Sequence, residues 1–393
     1  MPSSPKRPPL WLLVLITTSG TLGIHIFVPA LPQAAADLAV SSGTAQLAIS
    51  LYILGLAVGQ LFYGPLSDNF GRRPVLLGGL GLYAAAGLVA ALAPDATALI
   101  AARLMQALGG CAGLALGRAI VRDTSETREA ASRLAALSLV VSIGPGIAPA
   151  IGTALSETLG WRSIFGLLSG LGASTALLVA WRLPETRASG AGRSTSALVA
   201  DYAGLLRSSR FLGLALGGGC ATTSWYAFLA AMPFVLVQQL GRPAHEVSLY
   251  YLLLVGGTAV GNILANRMVG VFGFRPLILG ASAGGLMGAL FYLLVVLTGS
   301  MTVLSVMAGP VVFAIGVGLA SPLALTQAVS VNPQVIGSAA GFYGFSQMAV
   351  GALCASLAGL GRDPALSSSI VLAGAALTGL VAFWIALRPA RPR

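Results

Sequence analysis

Residues 64–74 read Gly64-Pro65-Leu66-Ser67-Asp68-Asn69-Phe70-Gly71-Arg72-Arg73-Pro74, a charged segment between two apolar stretches that are each long enough to cross a bilayer. A charge at bilayer depth costs several kcal/mol, so this segment is expected outside the hydrocarbon layer. Glycine tolerates backbone conformations that other residues avoid, which suits a short connection. The segment therefore predicts a tight cytoplasmic turn between two membrane-spanning helices.

The composition is that of a polytopic membrane protein. Of 393 residues, 56% are hydrophobic and 8% are charged, whereas about 25% of residues in soluble domains are charged. The net charge of +11 would suggest nucleic acid in a soluble protein, but here it follows the membrane topology, so no nucleic-acid partner is expected. Lys6 is the only lysine, which excludes a Gly-x-x-x-x-Gly-Lys phosphate loop and argues against ATP hydrolysis.

Apolar stretches of about 20 residues, the length of a membrane-spanning helix, occur twelve times. The predicted spans are residues 10–31, 46–65, 75–93, 97–121, 133–156, 164–182, 211–237, 247–266, 276–297, 302–325, 335–359 and 367–387. Of the 22 Lys and Arg residues, all but four lie in loops and termini on one side of these spans. Because positive loops stay in the cytoplasm, both termini are predicted to be cytoplasmic, in an inner-membrane protein.

The spans divide into two sets of six. The longest polar connection predicts a cytoplasmic linker over residues 184–210, between an N-terminal half, residues 1–183, and a C-terminal half, residues 211–393. A shift of 202 residues aligns Gly71 with Gly273 and Pro74 with Pro276, although Asp68 aligns with Gly270. A parallel half-length repeat is typical of transporters built from two related halves, and a chance match in a glycine-rich chain is the alternative.

Several further segments complete a family pattern. They are Val28-Pro29-Ala30-Leu31-Pro32, Arg103-Leu104-Met105-Gln106-Ala107-Leu108-Gly109-Gly110, Arg118 to Asp123, Gly144-Pro145-Gly146-Ile147-Ala148-Pro149-Ala150-Ile151-Gly152 and Trp161-Arg162-Ser163-Ile164-Phe165. With the segment 64–74 they resemble the major facilitator superfamily over the whole chain, and most closely its twelve-span drug:proton antiporters of the Bcr/CflA branch. The resemblance implies an all-α major facilitator fold and export of a small amphipathic compound in exchange for protons, by rocker-switch alternating access.

The resemblance assigns a charge relay to the segment 64–74. In that relay Asp68, Arg72 and Asp123 tie span 2 to span 4, and Arg73, Gly64 and Gly71 complete the motif. Ion pairs of this kind can form in one access state and break in the other. The alternative is that the charges only set the topology, which would require the arginines but neither Asp68 nor the glycines.

Three ionisable residues are candidates for proton coupling. Arg103 lies about six residues inside span 4, and such a residue is a functional candidate by default unless it extends to the outer interface. His25 stands where the resemblance leads us to expect an Asp, and it either carries a proton or lines the pathway as a neutral group. No Asp or Glu lies at the centre of any span, so Asp37, at the membrane edge, is the third candidate.

Span 5 carries the motif that the resemblance associates with antiporters. Its candidate positions are Gly144, Pro145, Pro149 and Gly152. Glycines allow close helix packing and prolines bend a helix, and packing without any further role is the alternative.

A pocket for an amphipathic compound is mostly apolar with a few polar groups. Eight aromatic and amide residues on candidate spans fit this description, although each of them is equally compatible with packing against lipid or a neighbouring helix. They are Tyr52, Gln106, Trp225, Tyr226, Phe228, Phe342, Tyr343 and Gln347.

Enzyme, metal and cofactor sites are not indicated. The motif Gly280-Ala281-Ser282-Ala283-Gly284 lies in an apolar span and not in a strand-to-helix turn, and two histidines cannot form a His-Glu-x-x-His site. The expected partners are a small substrate, protons and the bilayer, with the chain acting as a monomer. The alternatives are export of an amino acid, sugar or siderophore, a carrier that is not coupled to protons, and a transporter-like sensor.

Overall fold

The computed structural model describes residues 8–125, 127–186 and 195–388, and these residues form α-helices and short turns without any β-strand. The helices are α1 (Leu10–His25), α2 (Leu31–Asp37), α3 (Ser42–Phe70), α4 (Arg72–Ala91), α5 (Ala96–Thr124), α6 (Thr127–Leu159), α7 (Arg162–Arg182), α8 (Thr195–Arg207), α9 (Ser209–Thr222), α10 (Tyr226–Phe234), α11 (Ala244–Phe272), α12 (Phe274–Leu297), α13 (Val303–Val329), α14 (Ile336–Gly359) and α15 (Pro364–Ala386).

Helices occupy all twelve predicted spans. By length and composition, 10 helical segments of the described residues are able to cross a membrane. The other two predicted spans, 133–156 and 335–359, fall within α6, which has 33 residues, and α14, which has 24. The all-α fold predicted from the sequence is therefore confirmed.

The tight turn predicted after α3 consists of one residue. Gly71 alone separates α3 from α4, with φ +94°, a conformation that side chains disfavour. The same construction recurs in the second copy, where Gly273, with φ +75°, is the only residue between α11 and α12. The 202-residue repeat is thus reproduced in the helix boundaries.

Spans 1 and 7 are interrupted, whereas each was predicted as one continuous stretch. In span 1, α1 ends at His25 and a 3₁₀ turn (Val28–Ala30) leads into α2, because Pro29 and Pro32 have no N–H to continue the helical hydrogen bonds. In span 7, a turn at residues 223–225 separates α9 from α10.

Span 7 breaks without a proline at the break. Three consecutive hydroxyls donate to carbonyl oxygens four residues earlier: Thr222 to Gly218, Thr223 to Gly219 at 2.8 Å, and Ser224 to Cys220 at 2.6 Å. Side-chain hydroxyls that bond in this way compete with backbone N–H groups for the carbonyls and bend helices. The run of three hydroxyls is therefore the sequence feature that accompanies the break.

The segment predicted as a polar linker contains the 13-residue helix α8. Asp201 accepts a hydrogen bond from Ser338 of α14 at 2.9 Å, and the Tyr202 ring lies 5.6 Å from that of Phe342. Burial, and then the Asp201 carboxylate, raise the pKa of the Tyr202 phenol. Leu205 is buried in the core of the C-terminal helices, so the linker has a folded and anchored part that composition alone did not predict.

Two compact units divide the chain. The first extends to Leu198 but omits residues 41–50, which cluster with the second unit, from Val199 onward. Within the first unit α4 and α5 approach so closely that a Cβ on Gly109 would lie 2.5 Å from the Gly79 carbonyl oxygen. The domain limits at residues 183 and 211 stay a prediction.

Candidate functional site

The three residues of the predicted charge relay lie together at one end of the first unit. Arg72, the first residue of α4, contacts Asp123 Oδ2 of α5 through Nε at 2.9 Å and Asp68 Oδ1 of α3 through NH1 at 2.7 Å. The same NH1 donates to the Ser67 hydroxyl. Arg72 is only 5% exposed, so one buried guanidinium joins three helices.

Glu185, which the sequence analysis did not single out, completes this cluster. Its two carboxylate oxygens accept hydrogen bonds from the backbone N–H groups of Arg72, at 2.9 Å, and Arg73, at 3.1 Å. The first N–H groups of a helix have no partner within the helix, and a carboxylate there is favoured by the helix dipole. The Arg73 guanidinium donates to the Ala180 carbonyl oxygen of α7. The turn is thereby fastened to the end of α7.

Gly71 and Gly64 differ in what surrounds them. A Cβ on Gly71 would lie 2.6 Å from Glu185 Oε2, so this glycine is required both by its backbone and by the carboxylate. Gly64 lies inside α3, where a Cβ would meet no atom within 4 Å. Its carbonyl accepts from the Ser67 hydroxyl at 2.9 Å, and its assignment to the relay stays a prediction.

We predict that Gly71→Ala destabilises the protein and that Gly64→Ala does not. At Gly71 the backbone, with φ +94° and ψ 153°, lies in a region that is essentially restricted to glycine and costs another residue about 1–3 kcal/mol, and the added Cβ displaces Glu185 from the start of α4. At Gly64 the same change adds a helix-favouring residue in open space. The measurement is the thermal unfolding midpoint of both purified variants in detergent; equal midpoints would contradict the role given to Gly71.

A second cluster surrounds Arg103, which is fully buried. Its NH2 donates to the Gly23 carbonyl oxygen of α1 at 2.7 Å, and its NH1 donates to Gln106 Oε1 at 2.7 Å. The guanidinium carbon lies 3.8 Å from the centroid of the Tyr52 ring, and the Tyr52 hydroxyl donates to the Gly20 carbonyl oxygen at 2.8 Å. Arg103 therefore does not extend to the interface, which was the alternative to an internal role.

The ring of Tyr52 is one of three around the guanidinium. Those of Phe27 and Phe165 have their centroids 5.6 Å and 5.5 Å from its central carbon. Aromatic faces attract cations, most strongly when water is excluded. Phe165 belongs to the motif 161–165 that the sequence analysis quoted, but its place around Arg103 depends on how α7 packs.

The guanidinium also explains where α1 ends. Gly23 is two residues from the end of α1, and the last carbonyls of a helix lack partners within the helix. A cation that binds such a carbonyl also offsets the negative end of the helix dipole. Arg103 therefore stabilises the end of α1 through the Gly23 carbonyl, two residues before His25 in the chain.

His25 is buried, as the last residue of α1. The hydrogen bond between Arg103 and Gly23 shows that spans 1 and 4 are neighbours at this end of α1. Whether His25 carries a proton or remains neutral stays open.

Asp37 is held at the far end of α2. Its Oδ2 accepts a hydrogen bond from Trp161 Nε1 at 2.8 Å and lies 3.9 Å from Arg162 NH1. Arg162 also donates to the Ala93 carbonyl oxygen at 3.2 Å and stacks on Trp161 at 4.2 Å. Phe27 lies between the two clusters, with its ring 6.2 Å from Trp161. Asp37 thus has a structural partnership whether or not it exchanges protons.

The span 5 motif packs against span 1 at Gly152, one of its three glycines. A Cβ on Gly152 would collide with the Ile26 carbonyl oxygen, just beyond the end of α1. Gly144 has no neighbour within 4 Å of a Cβ. The helix α6 continues through Pro145 and Pro149. A packing role is therefore visible for Gly152, and the antiporter role of the motif stays a prediction.

In the second unit, Gln347 of α14 joins the break in span 7. Its Nε2 donates to Thr222 Oγ1 at 2.7 Å and lies 3.4 Å from the Tyr343 hydroxyl. The Thr223 hydroxyl, which shares its proton between two carbonyls, lies 2.6 Å from the backbone carbonyl oxygen of Gln347 and 2.8 Å from that of Gly219. Tyr226, which begins α10, is buried. Thr222 and Thr223 were not among the residues that the sequence singled out, because their contact with Gln347 depends on tertiary packing.

Three other cavity candidates, Phe228, Phe342 and Trp225, differ in how they pack. Phe228 is buried with its ring 5.2 Å from that of Tyr292, and Phe342 packs on Tyr202 and Phe211. Trp225, at the break, is partly exposed. Contact between any of them and a substrate stays a prediction.

Sequence comparison decides the family. The profile of the Major Facilitator Superfamily matches residues 13–356. The chain belongs to this superfamily. Its structure agrees, because the nucleoside transporter NupG superposes with a TM-score of 0.74 at 13% identity, over 96% of this chain and 99% of that one. At that identity the similarity shows the fold alone, and the fold is that of major facilitator transporters.

Relatives of this major facilitator protein include resistance proteins. Multidrug resistance protein D of Escherichia coli is 32% identical over 89% of this chain and 88% of its own. The bicyclomycin resistance protein homolog of Haemophilus influenzae is 26% identical over 94% and 95%. A chloramphenicol resistance protein of Pseudomonas aeruginosa is 38% identical over 40% and 37%. The branch expected from the sequence is thereby confirmed.

We predict that Arg103→Lys destabilises this major facilitator protein. The ammonium keeps the buried charge but cannot bridge Gly23 and Gln106 as the planar guanidinium does, and losing a hydrogen bond from a charged group costs about 1.5–3 kcal/mol. The matched control is Arg162→Lys, at a side chain that is 43% exposed. The thermal unfolding midpoint should fall clearly for the first variant and little for the second; the reverse order would contradict the buried geometry.

Proposed function

We propose that the protein is a secondary active exporter of small amphipathic compounds, such as antibiotics or similar toxic metabolites. It works by rocker-switch alternating access and exchanges its substrate for protons. The observation that carries the proposal is the complete cluster of Arg72 with Asp68 and Asp123, in a chain whose relatives are named for multidrug, bicyclomycin and chloramphenicol resistance.

The cluster supports transport because it is a candidate two-state element. A buried guanidinium with two carboxylate partners is stable only while both remain in place, and removing one partner of a buried pair costs about 3–5 kcal/mol. A change in the relative position of α3, α4 and α5 would break it. A substrate or proton that favours one arrangement of these helices then shifts the population of the two states.

Proton exchange would involve His25 and Asp37, with Arg103 bonded to Gly23, two residues before His25. Histidine is the side chain whose ordinary pKa lies closest to neutral pH. His25 lies at the interruption of span 1, and interrupted helices are where transporters commonly bind ions and substrates. Asp37 would have to release Trp161 or Arg162 in order to exchange a proton freely. A carrier without proton coupling is the second candidate, favoured by the lack of acidic residues deep in the spans.

The protein would act as a monomer in the cytoplasmic membrane. Both termini would face the cytoplasm, which the distribution of Lys and Arg along the sequence supports. Export of a native amino acid, sugar or siderophore fits the same fold, and so does a sensor that resembles a transporter. Measured transport distinguishes these alternatives.

The first test is expression in a host that lacks its own efflux systems. We expect resistance to at least one compound of an antibiotic panel, together with dye efflux that stops when a protonophore collapses the proton gradient. If no compound is moved, drug export is refuted. Export that persists without the gradient refutes proton coupling and supports the second candidate.

The charge cluster is tested by comparing Arg72→Gln with Arg73→Gln. Both remove one cytoplasmic positive charge, but only Arg72 binds Asp68 and Asp123. We expect Arg72→Gln to reduce transport at least tenfold at equal membrane expression and Arg73→Gln to reduce it far less. Equal losses would favour the topological explanation of these charges.

His25 is tested by the pH dependence of transport in His25→Ala and His25→Asp. If His25 carries the proton, we expect Ala to abolish the pH response and Asp to move it to lower pH, since a carboxyl group titrates below an imidazole. A pH profile that is unchanged in both variants would contradict this role.

A further inference from the structure

We propose that the exported compounds are uncharged or anionic, and that lipophilic cations are excluded by a fixed positive charge in the first unit. This inference rests on the proposed export function and specifies its substrate class. It follows from where the charged residues lie along the helices.

Acidic residues are confined to helix ends, connections and the linker helix. The chain has 11 Asp and Glu residues. Those that reach furthest into a long helix, such as Asp68 in α3, Glu157 in α6 and Glu246 in α11, lie two residues from its end, which is about 3 Å along the axis. Asp95 and Asp363 are N-caps of α5 and α15. Glu126 lies outside the described residues, between α5 and α6.

Positive charges reach deeper. The charged residues that lie more than two residues inside a span helix are all arginines, namely Arg103, Arg118, Arg133 and Arg267. Of these, Arg133 has an acidic neighbour, Glu129, at 3.7 Å. Arg103 lies seven residues from the start of α5, or about 10 Å along its axis. Of the four arginines, Arg103 lies furthest from the nearest end of its helix.

The charge of Arg103 is not neutralised by a carboxylate among its contacts. Its described partners are the Gly23 carbonyl, the Gln106 amide oxygen and the rings of Phe27, Tyr52 and Phe165, all of them uncharged. Its Nε, which is buried, has no hydrogen-bond partner in the described structure. Dipoles and rings stabilise the guanidinium locally, but they leave a net charge of +1 whose field extends through the surrounding layer.

Such a field discriminates by the charge of a solute. In a medium of effective dielectric constant about 20, two unit charges about 10 Å apart change an equilibrium by roughly a factor of ten. Any compound that crosses the membrane along these helices passes the depth of Arg103. A cation there is repelled and meets no carboxylate to compensate for its lost hydration, whereas a neutral compound is unaffected and an anion is attracted.

Aromatic side chains do not reverse this preference. A partly exposed ring such as Trp225 could attract a cation by about 0.5–1 kcal/mol, which corresponds to a factor of only about two to five. The sequence provides no deep acid to add to it. The balance therefore favours uncharged and anionic compounds by about tenfold.

The decisive test measures transport of three kinds of probe by the intact protein in everted membrane vesicles. The probes are tetraphenylphosphonium as the cation, chloramphenicol as the neutral compound and nalidixate as the anion. Valinomycin and potassium remove the membrane potential, so that it does not itself sort the probes by charge. We expect chloramphenicol or nalidixate to be moved at least ten times faster than tetraphenylphosphonium.

The origin of the selectivity is tested by Gln106→Glu, which places a carboxylate against Arg103 NH1 with almost no change of shape. The control is Gln327→Glu, the same substitution two residues from the end of α13, where acids occur naturally in this chain. We expect Gln106→Glu to raise cation transport relative to neutral transport by about tenfold and Gln327→Glu to leave the ratio unchanged. Tyr52→Glu, which adds a carboxyl group where the ring centroid now lies 3.8 Å from the guanidinium carbon, replaces Gln106→Glu if that variant does not fold.

The outcomes separate the two proposals. If none of the probes nor any compound of the wider panel is moved, the export function itself fails. If cations and neutral compounds move at similar rates, export stands and the charge selectivity is refuted. If the wild type discriminates but neither added carboxylate changes the ratio, the fixed charge of Arg103 is refuted as its source.

Discussion

The hydrogen bond from Arg103 to the Gly23 carbonyl oxygen is the interaction on which the arrangement around the end of α1 depends. It places a permanent cation where the bilayer disfavours one, and the surroundings are arranged to tolerate it. Tyr52 is held against the guanidinium by its own bond to Gly20, and Phe27 and Phe165 exclude water from its other sides. The interruption of span 1 is part of the same arrangement, because a continuous helix would leave no free carbonyl at Gly23.

The sequence predicted the positions of the spans because a helix that crosses lipid must be apolar over about 20 residues, whatever its neighbours are. It predicted the turn at Gly71 for an equally local reason. The contact of Gln347 with Thr222 and the carboxylate of Glu185 at the start of α4 were not predicted, since each depends on which helices meet. The break at residues 223–225 was not predicted either, although the run of three hydroxyls that accompanies it is a local feature of the sequence. Glu185 left one trace in the sequence: an acid that directly follows a proline at the end of a span.

The two copies of the repeated turn have the same backbone conformation but different charged side chains. Gly71 and Gly273 both connect two helices alone, with positive φ. Only the first copy adds Asp68 and the paired Arg72, and the second has Gly270 and Phe274 at those positions. Backbone geometry is therefore retained where charge is not, which indicates that the turn serves the fold in both halves and that the ion pairs were specialised in one.

The fastening of the Gly71 turn to Glu185 has a mechanical consequence. Because α3 and α4 share a one-residue connection, and the start of α4 is bonded to Glu185, three residues beyond the end of α7, these three helix ends are bonded into one unit, to which Arg72 adds α5. Helix ends bonded in this way are expected to move together. Bending of the chain is then expected where helical hydrogen bonding is already interrupted, beyond His25 and at residues 223–225.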